Sequence, residues 1–212
     1  MNDINLWNLP DLQVGSDADE SLIERRHNSR FATPLIDGAV VREESIAGVQ
    51  CLIVSSAQPK FSYLHFHGGG FRLGWTRTWL NYASDIALKA DCQVVIPDYR
   101  LAPEHRFPTA TNDAWDALKW VSESVSSLGL HPNALAVGGD SAGGTLAAVC
   151  ALQARDVGLQ LALQLLIYPG TAARQESPSH HTYESGFMLD KATVDWFFNH
   201  YIDAKDRDDW RF

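Results

Sequence analysis

The sequence predicts an α/β fold with a mostly parallel central sheet flanked by helices. Between residues 62 and 169, short apolar runs rich in β-branched residues alternate with runs of helical character. Such alternation is typical of parallel strands joined by helices that cover both faces of a sheet. At 212 residues, the chain is long enough for one domain with its own core.

The elements before this alternating part differ in kind. Residues 1–35 are mixed and polar, with helical stretches around Asp19 to Ser29, and they predict a helical preface. Two strand-like runs follow, Ala39–Ile46 and Val49–Ser55. Because Ala47-Gly48 supplies a turn between them, we predict an antiparallel hairpin.

The alternating part runs from strand to helix three times and ends on a fourth strand, after which the pattern changes. The predicted strands are Ser62–Phe66, Cys92–Asp98, Ala134–Gly138 and Leu161–Tyr168, and the predicted helices are Thr78–Ala90, Thr111–Ser124 and Thr145–Leu152. Residues 171–187 are polar with little periodicity. An aromatic-rich helix is predicted from Asp190, its N-cap, to Ile202.

Composition and charge narrow the classes of function. Apolar residues make up 45% of the chain and charged residues 20%, as in soluble globular proteins. The net charge of −9 argues against a nucleic-acid partner and against an anionic membrane surface. Three cysteines lie far apart in apolar contexts, which favours buried thiols over a disulfide framework or a zinc site. We expect no metal and no cofactor.

The N-terminus gives an expectation about the location of the protein. The first twenty residues are polar and acidic, without the basic and apolar regions of a secretory signal peptide. The apolar runs of the sequence are all shorter than a membrane span. We therefore expect a cytoplasmic protein that does not bind a membrane.

A serine at the apex of a predicted strand-turn-helix unit is the strongest chemical feature. In Gly139-Asp-Ser-Ala-Gly-Gly144, a glycine lies two positions before Ser141 and another, Gly143, two positions after it. A sharp strand-to-helix turn requires small residues at these places. We predict that Ser141 is a nucleophile. The alternative is a phosphate-binding or packing turn, and the phosphate loop is disfavoured because its lysine is missing.

A second glycine-rich segment, His67-Gly-Gly-Gly70, follows a predicted strand. Glycines let the backbone approach a substrate closely and turn its N–H groups inward. We predict that Gly69, Gly70 and Ala142 form an oxyanion hole, in which each donor is typically worth about 3 kcal/mol in the transition state. His67 is a candidate general base, but a histidine beside such a loop more often supports it through its ring nitrogens, and we predict that role.

These two motifs and a third segment follow the carboxyl ends of predicted strands. Such ends meet at one edge of a parallel sheet, where ligands bind. We therefore expect His67–Gly70, Tyr99-Arg100 and Ser141 to share one crevice.

With Tyr99-Arg-Leu-Ala-Pro-Glu104 and Phe107-Pro108 between them, the two motifs resemble the hormone-sensitive-lipase family of α/β-hydrolases. These are bacterial carboxylesterases with HGGG and GDSAG motifs. The resemblance implies the α/β-hydrolase fold with a helical cap. It also implies a serine esterase that acts on short- to medium-chain acyl esters through an acyl-enzyme on Ser141.

The resemblance divides the chain into three parts. Residues 1–35 are expected to hold N-terminal cap helices, residues 36–174 the hydrolase core, and residues 175–212 a second cap segment. Family members continue into two further strands, which are followed by the catalytic aspartate and histidine. Since the chain stops at Phe212, we expect a C-terminally truncated member that is close to inactive by itself.

Two further expectations follow from this departure. The histidines after the nucleophile, His180, His181 and His200, lie in the cap-like part without the expected context, so a structural role is favoured for each. The strand Leu161–Tyr168 would be an apolar sheet edge, and such edges invite pairing. We therefore expect a fragment, a truncated gene product, or a chain that forms a homo-oligomer through this edge.

The substrate pocket has four candidate residues. Phe71 and Trp75 follow the glycine loop, and Met188 and Trp196 lie in the cap-like part. Ordinary core packing explains each of them equally well. A non-catalytic small-molecule binder on the same scaffold is the alternative function, since related plant hormone receptors keep this fold without the catalytic histidine. The intact serine and glycines favour ester chemistry, and the missing acid and base favour a binder or a fragment.

Overall fold

The computed structural model describes residues 31–127 and 134–212. Six strands form its single described sheet: β1 (Val40–Ile46), β2 (Val49–Ser55), β3 (Phe61–Phe66), β4 (Cys92–Pro97), β5 (Leu135–Asp140) and β6 (Leu163–Ile167). Their spatial order is β1-β2-β4-β3-β5-β6. Strands β4, β3, β5 and β6 run parallel, whereas β2 is antiparallel to both of its neighbours. The mostly parallel α/β sheet predicted from the sequence is confirmed.

The first two strands form the predicted hairpin. Their pairing runs from Val40 opposite Ser55 to Ile46 opposite Val49. The two turn residues between them have positive φ angles of 49° at Ala47 and 84° at Gly48. Two successive left-handed residues match the right-handed twist of a two-residue hairpin.

Five helices lie in the described ranges: α1 (Leu80–Ala90), α2 (Thr109–Ser127), α3 (Ala142–Val157), α4 (Pro178–Thr182) and α5 (Lys191–Tyr201). Short 3₁₀ turns precede α1 at Thr76–Trp79 and follow α5 at Ala204–Asp206. The predicted helices that fall within the described residues are all present, and α3 is longer than its prediction at both ends. The short α4 lies in the segment for which no helix was expected. None of the described helices is long and apolar enough to cross a bilayer.

The helices cover both faces of the sheet and create two separate apolar cores. Helix α1 packs with Val94 and Ile96 on one face, and α2 and α3 pack with Val95 and Val137 on the other. Neighbouring residues of β4 therefore face opposite cores, which follows from the alternation of side chains along a strand. Burial on both faces explains why this strand has a continuous apolar sequence.

The first described residues contact helix α1, and the strand β6 forms one edge of the sheet. Residues 31–35 have no helix, and the Thr33 hydroxyl accepts the N–H of Asn81 at 2.8 Å. The helical stretch predicted around Asp19 to Ser29 lies outside the described residues. At the far edge, β6 pairs with β5 alone within the described residues. Its Leu163 and Leu165 are 55% and 38% exposed, so the predicted apolar edge is present.

Candidate active site

The predicted nucleophile lies on a strained turn between β5 and α3. Ser141 has φ 52° and ψ −121°, and α3 begins at the next residue. A left-handed φ is unfavourable for a residue with a side chain and persists only where the surroundings enforce it. Here the Ser141 N–H donates to the carbonyl of Ile167 at the end of β6, at 3.0 Å. The half-buried serine is therefore held by the strand beside it.

The glycines around Ser141 are required by the close approach of β3. A Cβ atom on Gly143 would collide with the backbone carbonyl oxygens of Phe66 and His67. A Cβ atom on Gly139 would meet the carbonyl oxygens of Phe66 and Gly143. The turn thus packs backbone against backbone, which explains the spacing of the motif.

The second motif, His67–Gly70, begins directly beside this turn, and we call it the oxyanion loop. Phe66, the last residue of β3, pairs with Gly139 of β5. Gly69 and Gly70 both have positive φ, at 128° and 60°. The Gly69 carbonyl accepts the N–H groups of Arg72 and Leu73 at 3.1 and 2.9 Å, which tightens the loop. The structure therefore brings both motifs together at one edge of the sheet.

This arrangement has the parts that an oxyanion hole needs. The first N–H groups of a helix have no intrahelical acceptor, and that of Ala142 belongs to the first turn of α3. The loop that carries Gly69 and Gly70 follows the neighbouring strand. The assignment of these three donors stays a prediction, which the proximity of the two segments supports.

A carboxylate that the sequence did not single out links the two motifs. The N–H of Gly68 donates to Asp140 Oδ1 at 3.0 Å. In the sequence, Asp140 is simply the residue of the turn motif that precedes Ser141. The signal that could have revealed this contact is an acidic residue directly before a nucleophile, on the strand next to a glycine loop.

His67 has the surroundings of a supporting residue. Its ring is buried and stacks on Tyr99, with 4.4 Å between the ring centroids. Nδ1 lies 2.8 Å from the carbonyl oxygen of Gly68, so this nitrogen carries the proton and donates. Burial lowers the pKa of His67 from 6.5 to about 4, which keeps the ring neutral and makes it a weak base. The proposed loop-support role is favoured over that of a general base.

Helix α5 lies directly on the oxyanion loop. A Cβ atom on Gly70 would collide with the ring of Phe197. The guanidinium of Arg72, which is buried, lies 3.6 Å from the ring centroid of Trp196. Arg72 is not among the predicted site residues, and the packing of α5 reveals its position beside the loop.

The four predicted pocket residues do not share one pocket. Phe71 is buried and stacks on Tyr201 at 3.9 Å between centroids, so it belongs to the core. Trp75 lines a separate cavity of about 180 Å³ near β2. Met188 is 69% exposed. Trp196, through Arg72, is the candidate that lies next to the oxyanion loop.

Two of the three histidines of the cap-like part have partners other than Ser141. His180 Nδ1 lies 2.6 Å from the hydroxyl of Ser177, which caps the start of α4. His200 Nδ1 lies 2.7 Å from the carbonyl of Trp196. His181 is exposed on α4. Within the described residues, the serine–histidine pair at hydrogen-bond distance is therefore a helix cap, separate from Ser141.

Comparisons with known proteins agree with this geometry. The sequence model of the alpha/beta hydrolase fold matches residues 63–212. Carboxylesterase NlhH of Mycobacterium tuberculosis is 44% identical over 147 residues, which are 69% of this chain and 46% of that protein. An ethyl acetate hydrolase of Pseudomonas putida is 41% identical over 152 residues, 70% of this chain and 48% of that protein. The chain thus spans about half the length of these relatives.

A solved structure extends the similarity to most of the chain. A fungal esterase from Rhizomucor miehei superposes with a TM-score of 0.82 and 31% sequence identity, covering 93% of this chain and 67% of that one.

Proposed function

Because this chain belongs to the α/β-hydrolase family, we propose that it carries the nucleophile and the oxyanion hole of a serine carboxylesterase. The observation that carries the proposal is Ser141, held at φ 52° between β5 and α3, beside the glycines of the oxyanion loop. A strained serine at the carboxyl end of a parallel sheet is the geometry of a nucleophile elbow. The names of the relatives, a carboxylesterase and an ethyl acetate hydrolase, support ester chemistry.

The proposed reaction is acyl transfer to Ser141 from a short- to medium-chain acyl ester. Ser141 Oγ attacks the ester carbonyl carbon, a base takes the hydroxyl proton, and the C–O bond to the alcohol breaks as the alcohol leaves protonated. Water then hydrolyses the acyl-enzyme and releases the acid. Gly69, Gly70 and Ala142 are the proposed donors to the oxyanion, each worth about 3 kcal/mol.

Three of the described histidines are poorly suited to act as the general base for Ser141. His180 and His200 bind Ser177 and the Trp196 carbonyl, and His67 is a weak base. Without a base, a serine keeps its proton and is a poor nucleophile. We therefore expect this chain to hydrolyse esters slowly, within the roughly 10³- to 10⁴-fold acceleration that binding and an oxyanion hole alone provide.

Chemical rescue tests the proposal on the chain as given. Hydrolysis of p-nitrophenyl butyrate is followed with and without imidazole, which supplies an external base. We expect imidazole to raise the rate more with the unaltered chain than with Ser141→Ala, and mass spectrometry to detect a butyryl adduct. Equal rates for both proteins, with saturable binding of the ester, would favour the non-catalytic binder. Rapid turnover without imidazole would contradict the missing base.

We also propose that a second copy of the chain pairs with the edge strand β6. The strand exposes Leu163 and Leu165, and Tyr168 directly after it is exposed too. Two such edges can pair antiparallel about a two-fold axis. Light scattering is expected to show a dimer for the unaltered chain and a monomer for Leu165→Lys. A monomer at high concentration for both would contradict the pairing.

A cytoplasmic location is proposed from the chemistry of the cysteines. Cys51, Cys92 and Cys150 are all buried and free. Burial raises the pKa of the Cys51 and Cys92 thiols to about 12 and about 11, which keeps them protonated and unreactive. Cell fractionation tests the location, and recovery of the protein outside the cytoplasm would contradict it.

A further inference from the structure

We propose that Asp140 and His65 form a latch that positions the oxyanion loop against the nucleophile turn. The inference deepens the proposed function, on which its catalytic meaning rests. It assigns positioning roles to two residues that hold the loop donors in place without contacting a substrate. Three structural observations carry it: a hydrogen bond, a forced close approach and a buried side-chain pair behind them.

The hydrogen bond joins the two motifs directly. Asp140 is the residue before Ser141, and Gly68 is the residue before the first proposed donor of the loop. The Gly68 N–H donates to Asp140 Oδ1 at 3.0 Å, and only 14% of the Asp140 side chain is exposed. Hydrogen bonds to a carboxylate are stronger than neutral ones, particularly where water is excluded. This contact therefore fixes the distance between the nucleophile turn and the loop.

The close approach makes the position specific for glycine. A Cβ atom on Gly68 would collide with Asp140 Oδ2 and crowd the Asp140 backbone carbonyl. With the carboxylate in this position, the loop lies closer to it than a residue with a Cβ atom would allow. Gly68 is needed here for space, whereas Gly69 and Gly70 also have positive φ angles.

The buried pair lies behind the carboxylate. His65 is 1% exposed, and its Nε2 approaches Asp140 Oδ1 at 3.4 Å without the geometry of a hydrogen bond. Its Nδ1 lies 3.0 Å from the hydroxyl of Tyr63, which is also buried. Because a carboxylate only accepts, a neutral His65 facing it carries its proton on Nε2 and accepts the Tyr63 hydroxyl at Nδ1. Tyr63 thereby orients His65, and the Nε2–H group of His65 points toward the carboxylate of Asp140.

The latch has a measurable consequence at the Gly68 amide. While the carboxylate holds this N–H, the amide proton resonates downfield and exchanges slowly with solvent. The test uses amide hydrogen exchange by NMR on the full chain, for the unaltered protein, Asp140→Ala, His65→Leu and His65→Gln. The Gln side chain places a nitrogen donor where His65 Nε2 lies.

We expect Gly68 exchange to be at least about tenfold faster in Asp140→Ala and severalfold faster in His65→Leu. The Gly68 proton should move upfield in both, and His65→Gln should restore both values. The amide of Val95, which lies in the core, reports global opening and should stay unchanged.

Unchanged Gly68 exchange and shift in Asp140→Ala or His65→Leu would overturn the proposal, and so would failure of His65→Gln to restore them. If Asp140→Ala does not fold, His65→Leu against His65→Gln still decides the outcome. The readout does not depend on turnover. Loss of the latch and failure of the imidazole rescue are therefore distinguishable results.

Discussion

The corner that holds Ser141 and the segment between β6 and α5 have opposite properties. In the corner, the backbone of β3, the oxyanion loop and the turn of β5 pack so closely that glycines are required. In the segment, residues 171–190 are mostly exposed, and Phe187 and Met188 are 60% and 69% exposed. A residue held in a strained backbone conformation needs rigid surroundings, and the close-packed corner supplies them. The segment has no comparable support from the described residues.

Helix α5 connects these two regions and is anchored at its C-terminal end. Arg106 donates to the carbonyls of Asn199 and His200 at 3.2 and 2.7 Å. The N–H of Phe107 donates to the Tyr201 carbonyl at 2.8 Å, and the Tyr201 ring stacks on Phe71. The end of α5 that is fixed to the core thus holds Phe197 over the oxyanion loop. Matched substitutions in the two regions test whether the corner contributes more to stability than the exposed segment does.

The largest effect is expected from aromatic truncation. Tyr201→Ala removes a buried ring from the stack on Phe71 and should lower the free energy of unfolding by about 3–5 kcal/mol. Phe187→Ala, in the exposed segment, should change it by less than about 0.5 kcal/mol. Urea unfolding measures both. Similar losses of unfolding free energy in the two variants would contradict the difference between the two regions.

The buried side chain of His67 predicts that the protein loses stability in acid. Because the pKa of His67 falls from 6.5 to about 4 on folding, the unfolded chain binds more protons between these pH values. The stabilising contribution is therefore complete above pH 6.5 and is lost as pH falls toward 4, by on the order of 3 kcal/mol. Urea unfolding between pH 7 and 4 should show this loss.

His67→Gln should flatten this dependence, whereas His181→Gln, at an exposed position, should leave it unchanged. An equal pH dependence in all three proteins would contradict the assignment to His67.

The same substitution, glycine to alanine, is expected to lower the free energy of unfolding by different amounts in the two regions. Gly143→Ala places a methyl group against the carbonyls of β3 and should cost about 2–3 kcal/mol. Gly186→Ala has open space around its Cβ but a φ of 82°, so only the backbone term, about 1 kcal/mol, is expected. Thermal or urea unfolding compares them. A smaller cost at Gly143 than at Gly186 would contradict the close packing.

The smallest effect is expected from the arginine that caps α5. Arg106→Ala removes its hydrogen bonds to the last carbonyls of the helix and should cost about 1 kcal/mol. Arg174 pairs with Asp208 on the surface, and Arg174→Ala should cause no detectable change in the urea midpoint. Equal midpoints for the two variants would show that the cap does not anchor the helix.

The corner was predictable because its signals are local. The glycine spacing around Ser141 and the alternating strands placed both motifs at one edge of the sheet, which the pairing of Phe66 with Gly139 confirms. The contact of Gly68 with Asp140 was missed, since it joins residues 72 positions apart and depends on the register between β3 and β5.

The pocket was the least predictable part, for a related reason. Phe71 follows the oxyanion loop in sequence, yet Tyr201, from the far end of the chain, covers it and makes it core. Phe197 reaches Gly70 only because α5 is fixed at its C-terminal end. An aromatic side chain carries no sequence signal that separates a core position from a pocket wall.

The central claim is that Ser141, rather than the serine beside a histidine in the exposed segment, is the nucleophile. Labelling with a fluorophosphonate in the presence of imidazole, followed by peptide mass spectrometry, tests it most directly. We predict an adduct on Ser141 in the unaltered chain and in Ser177→Ala, and none in Ser141→Ala. An adduct on Ser177, or equal labelling of Ser141→Ala, would contradict the claim.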